Sequence, residues 1–539
     1  MTLPSPTCAA APRFARLARP TSALSWAVIT AVALARVDAS ANEPALTGAN
    51  EPTSPPRSER GDVSGELRLR GVSMGDFALD ALGTKGGRAR WLESRVMAGG
   101  RYRLGADLEL VGELEALNGL LAGDTTSIGL ARGEDSFDVR RDRAFGAATI
   151  IPRKLYVEWD VGVGVLRIGQ QAFSWGLGML ANDGSGDREF GDPMRGNLVE
   201  RVLFATRPFA RGSGAGELLE RLTLFAATDL VFRDESASLL EGDLALAGVL
   251  GAKLTDPRFE LGALAVGRWQ RDRRDPADGR EPETAVFVGD VTAKLMLTDP
   301  ASPSRLILEG EAALIAGRTT RPLSDETSAN GATVLSVGWV TRLRFEHDPA
   351  RLGVKLEVGQ ASGDDDPRDA TTRQFAFHSD YNVGLLLFDQ VLPMVSARAL
   401  DRVADPRLLG VPPSSSRFLV AQGGVLNATY LNPTLRWWPT PWLDVRLGYV
   451  LAGSIATFAD PYNSARNGGY PSTAAGSAPD SGILGQEVDA SLRVRLELGA
   501  GVVAHLGVEG GVFFWGAALT GLGDDRPLGI GRLLTGLRF

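Results

Sequence analysis

The sequence predicts an all-β fold: a transmembrane antiparallel β-barrel of about 18 strands (16–18), with long outer loops and short periplasmic turns. Three observations carry that expectation. Apolar and polar residues alternate by two along most of the chain, the spacing of a strand with two unlike faces. The links between alternating segments sort by length, tight and long in turn. Many segments reach ten or more residues, nearer the roughly 9–11 of a membrane strand than the roughly 5–6 of a soluble one. A soluble antiparallel sandwich also alternates, but it has no cause to sort its loops.

The chain begins with a segment that reads as a secretory signal peptide, residues 1–41. Arg13, Arg16 and Arg19 precede the apolar stretch "ALSWAVITAVALA" (23–35), and "ASA" (39–41) is a small-x-small cleavage site. That stretch is shorter than the roughly 20 residues of a spanning helix. The segment carries four Arg against one Asp, so the remainder lies near −11 given a whole-chain charge of −8. Such a balance excludes nucleic acid as the expected partner. Cys8 is the one cysteine and stands before the apolar stretch, so neither a disulfide nor a Cys-bound metal is expected in the mature protein. Residues 42–62, rich in Pro, Glu and Ser, read as a disordered leader.

The barrel then occupies 63–539. Strands are expected at about 63–74, 90–100, 107–118, 153–161, 164–173, 200–206, 219–227, 242–254, 258–270, 284–297, 304–317, 333–346, 351–361, 425–437, 442–455, 486–498, 502–515 and 530–539. Links after even-numbered strands are mostly short, such as "DPA" (348–350) and "GAG" (499–501). Links after odd-numbered strands are mostly long, 362–424 above all. The long link 207–218 is the exception among the short ones.

The chain ends "GRLLTGLRF" (531–539), with Phe539, Leu537, Thr535 and Leu533 on one strand face. A barrel must pair its last strand with its first to remove open edges, so Phe539 is expected inside the sheet. A terminal Phe with apolar residues at alternate positions also resembles the signal by which the outer-membrane assembly machinery recognises its clients. Trp437, Trp438 and Trp442 flank the short "PTP" turn, where an interfacial aromatic belt would lie. Together these features place the protein in the outer membrane of a Gram-negative cell, in contact with its lipid.

Two segments are distinctive: "LYVEWDVGVGVLRIGQQAFSWGLGMLANDGSGDREFGDPMRGNLVERVLF" (155–204) and "GDDDPRDATTRQFAFHSDYNVGLLLF" (363–388). They resemble uncharacterised porin-like outer-membrane proteins, similar in layout to the alginate-export porin family with its eighteen-stranded barrel. The resemblance implies a channel. It departs from the family in the lumen, which there is crowded with Arg and Lys. Here alternation turns both signs inward: Arg68, Arg70, Lys154, Arg167, Arg342, Arg344, Lys355, Arg446, Arg493 and Arg495, with Glu109, Glu113, Glu115 and Glu158 among the acids. A one-signed ring would argue selectivity; a mixed lining argues cross-strand salt bridges and against alginate as cargo.

The loop 362–424 is too long and, at "YNVGLLLFDQVLPMVSARAL" (381–400), too apolar to dangle in water. It is expected to fold into the lumen or cap the barrel top. In the lumen, Asp364, Asp365, Asp366, Arg368 and Asp380 would line the narrowest point. His378-Ser379-Asp380 has the residue types of a hydrolase triad, but sequence neighbours rarely converge as a triad requires, and a local turn is expected. "GDDDP" (363–367) and "GDD" (523–525) could bind Ca²⁺, yet the EF-hand spacing is absent and solvated loop tips are expected. No phosphate-binding loop pattern occurs. No cofactor, metal or enzymatic role is expected. The leading functional expectation is passive passage of small polar solutes or an oligosaccharide. The alternatives are a plugged structural or adhesive barrel acting through its outer loops, and a barrel hydrolase.

Overall fold

The computed structural model describes residues 61–539 apart from 125–127, 129–149, 187, 192, 211–215, 275–278, 322–330, 365–368, 404–423, 457, 459, 468–469, 471, 479–481, 500, 520 and 523–525. The signal peptide, residues 42–60 of the leader, Asp365, Asp366, Arg368 and the 523–525 tip therefore lie outside the described residues.

The wall consists of eighteen antiparallel strands. They are β1 (Gly61–Met74), β2 (Arg90–Arg103), β3 (Leu108–Gly123), β4 (Ile151–Asp160), β5 (Val165–Ala172) and β6 (Leu198–Thr206). Next come β7 (Leu222–Arg233), β8 (Leu244–Thr255), β9 (Phe259–Arg271), β10 (Glu283–Met296), β11 (Ser304–Thr319) and β12 (Ala332–His347). The last six are β13 (Leu352–Ala361), β14 (Ala428–Thr440), β15 (Leu443–Ser454), β16 (Ile483–Gly499), β17 (Val502–Trp515) and β18 (Leu528–Arg538). Each pairs with its sequence neighbour, and β1 pairs with both β2 and β18, closing the barrel. A further two-residue stretch, Thr371–Thr372, lies parallel to β12 and is not part of the wall.

Every expected strand is present, with displaced ends. Gly61 and Asp62 belong to β1 rather than to a leader. The seventh strand begins later and runs further than 219–227, because Leu219–Arg221 forms a single 3₁₀ turn before it.

The two faces are inverted relative to a soluble protein. Leu110, Leu114, Leu343, Phe345, Leu492, Leu496, Leu533 and Leu537 are exposed on the outside, while Glu115, Lys355, Glu357, Glu487, Asp489 and Arg532 are buried within. Apolar-out and polar-in alternation is what lipid outside and polar contacts inside require. Trp437 is exposed outside, at the short-turn end. Its neighbour Trp438 lines the interior cavity instead, because consecutive strand residues face opposite ways. It is therefore not part of an outer belt.

The long-loop half of the lumen is filled. The loop 173–197 and the described parts of 362–427 fold back inside. There a π-helical turn (Leu387–Val391) leads into helix α1 (Leu392–Val403). Phe375, Phe377, Tyr381, Leu385, Leu386, Leu387, Phe388 and Val391 pack with wall residues Val72, Val340, Tyr430, Val450, Phe513 and Ile530 in one buried apolar cluster. The apolarity of 381–400 is satisfied there, in the lumen rather than in a lid.

Candidate functional site

Beneath this plug, toward the short turns, the barrel encloses a cavity of about 1810 Å³. Its roof includes Trp175, Asp183, Ser185 and Gly186 of the inserted loop, and its mouth includes Gly162, Val163, Pro441 and Gly501 of the short turns. Thirteen Arg or Lys and ten Asp or Glu line it.

Most of these charges meet at hydrogen-bonding distance. Glu66 accepts from Arg68 at 2.7 Å and from Arg538 at 2.6 Å. Glu113 accepts from Arg153 and Lys154, each at 3.0 Å. Arg167 meets Glu158 at 2.5 Å, and Arg446 meets Asp444 at 2.5 Å. Arg201 grips Asp229 through two nitrogens, both at 2.7 Å, while its guanidinium lies 4.0 Å from the Phe173 ring. Such pairs fix side chains that would otherwise sweep the lumen.

A second set of wall charges holds the plug. Wall arginines donate to backbone carbonyls of the loop 173–197: Arg95 to Gly184 (2.7 Å) and Pro193 (3.0 Å), Arg153 to Asp183, Arg233 to Arg195 (2.9 Å), and Arg446 and Arg493 to Arg188 (2.6 and 3.0 Å). Wall carboxylates accept from loop amides. Glu311 takes those of Leu177 and Met179, and Glu487 takes three in succession, from Leu385, Leu386 and Leu387. An inserted loop cannot satisfy its backbone with water, and the charged inner wall supplies the missing partners.

The two loops are also tied to each other. Asp380, buried in the longer one, accepts the amides of Met194 (2.8 Å), Arg195 (3.0 Å) and Gly196 (2.7 Å) in the shorter. Burial pushes the Asp380 carboxyl up, but His378 and the amides of Met194 and Gly196 outweigh it and hold the group down at about 2. Beside it, His378 Nε2 lies 2.7 Å from Asn197 Oδ1, and the Ser379 hydroxyl donates to Glu235 at 2.7 Å. The serine oxygen thus meets a carboxylate and not the imidazole, so the three residues form a staple and not a nucleophile with its base.

The expected lumen residues divide accordingly. Arg68, Lys154, Arg167, Arg446, Arg493, Arg495, Glu113 and Glu158 line the open cavity. Arg70 is buried on Glu93 (2.9 Å), and Glu115 is buried on Arg95. Arg342 and Lys355 converge on Glu357. Arg344 meets Glu309 at 3.0 Å, and Glu109 pairs with Arg103 at 3.2 Å. The expectation for Asp364 and Asp380 requires correction. Asp364 sits at the foot of its loop, accepting the Arg373 amide at 3.2 Å. Asp380 is spent on the three amides above. Neither lines the cavity.

The chain is similar to several solved structures. Pseudomonas aeruginosa OccK2 (OpdF) in complex with glucuronate is 11% identical, over 89% of this chain and 98% of that one, with a TM-score of 0.48. Acinetobacter baumannii OccAB2 is 13% identical over 88% and 98%, with a TM-score of 0.47. Pseudomonas aeruginosa OpdK with vanillate is 13% identical over 89% and 98%, with a TM-score of 0.46. No protein-family model and no curated protein matches the chain.

Residues absent from the sequence-based expectation include Arg95, Arg153 and Arg201. Arg95 shares the inward parity of Glu93 and was accessible to the same alternation argument. Arg153 was not. The pairing of β3 with β4 slips between Glu113 and Leu114, and a bulge turns both Arg153 and Lys154 toward Glu113. Among the described residues, no group of three or more His, Cys, Asp or Glu is placed to hold a metal ion.

Proposed function

We propose that the chain is an outer-membrane channel for passive passage of small polar solutes or an oligosaccharide, with the inserted loops setting its narrow zone. The single observation that supports this most is the charge-lined cavity of about 1810 Å³ enclosed by a closed barrel. A structural barrel has no need of so large a hydrated space with an ordered polar wall. The mixed lining does not suit a polyanion such as alginate, since most basic groups in it already hold a carboxylate. In this reading the short turns face the periplasm. Lipid surrounds the apolar belt, and the strand ending at Phe539 serves as the signal to the assembly machinery.

One observation favours a second reading, a plugged barrel acting through its outer loops: the apolar cluster behind Tyr381, Leu385 and Leu387 is sealed from solvent. The test separates the two. Refolded protein in planar bilayers is expected to give discrete conductance steps that grow when residues 364–400 are deleted. In a Lys154→Cys variant, a bulky methanethiosulfonate added on the short-turn side should reduce them. Absence of conductance in both the full and deleted forms would transfer the function to the outer loops.

A further inference from the structure

Two arginines one helical turn apart on α1 reach out of the plug to two different outer loops. Arg398 Nε donates to Asp80 Oδ2 at 2.8 Å, and its Nη2 donates to Thr84 Oγ1 at 3.2 Å. Asp80 Oδ1 accepts the amides of Leu82 and Thr84, at 3.0 and 3.1 Å, and so closes its own turn. Arg402 lies 3.8 Å from the Tyr462 ring and donates to Asn463 Oδ1 at 3.3 Å.

Tyr462 and Asn463 belong to a short helix, α2 (Pro461–Arg466), in the link between β15 and β16. This part of the link is knotted by its own hydrogen bonds. Asn463 Nδ2 donates to the carbonyls of Thr473 (2.8 Å) and Ala474 (3.1 Å), and the Ser472 amide donates to Ser464 Oγ at 2.9 Å. At its base Asp460, 6% exposed, accepts the Asn463 amide at 2.7 Å. The charged groups acting on Asp460 are Arg402 from α1 and Asp80 from the turn, which Arg398 engages. In its own segment, Arg466 lies 5.6 Å from the Tyr462 ring. Burial pushes the Asp460 carboxyl up to about 6. The Asn463 amide and Arg402 oppose that rise, and Asp80 adds to it.

We propose that the α2 segment and the Asp80 turn form a proton-sensitive clasp on the plug helix, shut while Asp460 is neutral and loosened when it ionises. The docked segment binds the Asp460 proton more tightly than the undocked one, where the carboxyl is solvated and titrates at its ordinary value. Docking is therefore strongest in acid and weakens as pH rises from the ordinary carboxylate range through about 6. Whatever crosses the barrel, the plug would then be held at its outer face by two arms. The arm carrying Asp460 responds to the outside medium. This inference rests on the loop contacts and on the burial of Asp460, and it survives failure of the channel reading.

The test is hydrogen–deuterium exchange of peptides spanning 455–482 in the full-length protein in lipid, at pH 5 and pH 8, corrected for intrinsic exchange. Protection should fall about tenfold at pH 8 relative to pH 5. Asp460→Asn should remove that dependence, and Arg402→Gln should lower protection at both values. Equal wild-type protection at the two pH values, or an unchanged dependence in Asp460→Asn, overturns the proposal. If Asp460→Asn does not fold, the wild-type profile decides alone.

Discussion

Gly65 on β1 and Phe539 beyond β18 exchange two backbone hydrogen bonds across the barrel seam. The Gly65 amide donates to the Phe539 carbonyl at 3.0 Å, and the Phe539 amide donates to the Gly65 carbonyl at 3.1 Å. The Phe539 ring lies where a side chain on residue 65 would stand. Closure of the edge is therefore completed by a ring laid over a position that has no Cβ.

Substituting Gly65→Val should drive that ring off its seat. The expected cost is about 1–3 kcal/mol, the usual penalty for overpacking. It would be read as a lower urea midpoint for the barrel folded in lipid vesicles. An unchanged midpoint would show that the close approach contributes nothing to closure.

Glu115 lies fully buried between two guanidiniums, 2.6 Å from Arg95 and 3.3 Å from Arg153. Removing one member of such a group strands buried charge and typically costs about 3–5 kcal/mol. Because both arginines also hold the loop 173–197, Glu115→Ala should combine that loss with faster protease cleavage within 183–196. Wild-type cleavage kinetics would mean that the arginines hold the loop without their shared carboxylate.

Asp380 supports a pH prediction of opposite sign to that for Asp460. Its carboxyl titrates at about 2 when docked, below its ordinary 3.8. The tie between the two loops is therefore fully present above 3.8 and is lost as pH falls from there through about 2. Exchange protection of the Met194, Arg195 and Gly196 amides should collapse across that window. In Asp380→Asn it should be weak and flat with pH. Collapse at a higher pH would assign the transition to another group.

The cavity carries a small excess of basic side chains, so ion selectivity should respond to single reversals. Lys154 is 25% exposed and reaches Glu113 at 3.0 Å. Lys154→Glu places two carboxylates at that point and should shift the reversal potential toward cations under a salt gradient. Arg342 is held between Glu357 of the wall and Tyr381 of the plug, away from the cavity lining; Arg342→Gln should alter stability and leave selectivity as it was. A selectivity change at Arg342 equal to that at Lys154 would place the ion path through the plug and not the cavity wall alone.

Much of this architecture is legible in the sequence. A period of two reports locally which way each side chain points, so Arg68, Glu113 and Arg493 could be assigned to the lumen without knowing their partners. Sorted link lengths did the same for the two ends of the barrel. Side-chain direction is not legible where alternation is broken or absent. Arg153 sits at a bulge, and Asp380 belongs to a loop with no period. Trp438 shares its residue type with Trp437, but its parity turns it inward.

Strand number to within two, strand order, and the inward or outward sense of most side chains follow from the sequence itself, because each depends on residues a few positions apart. Only the tertiary structure decided which inward charges meet open cavity and which clamp the plug. That distinction depends on contacts such as Arg493 with the Arg188 carbonyl, 305 positions away, and Glu487 with the Leu385 amide, 102 away. These bonds form because backbone brought into a lumen must find new partners. No local pattern records which wall charge will supply them.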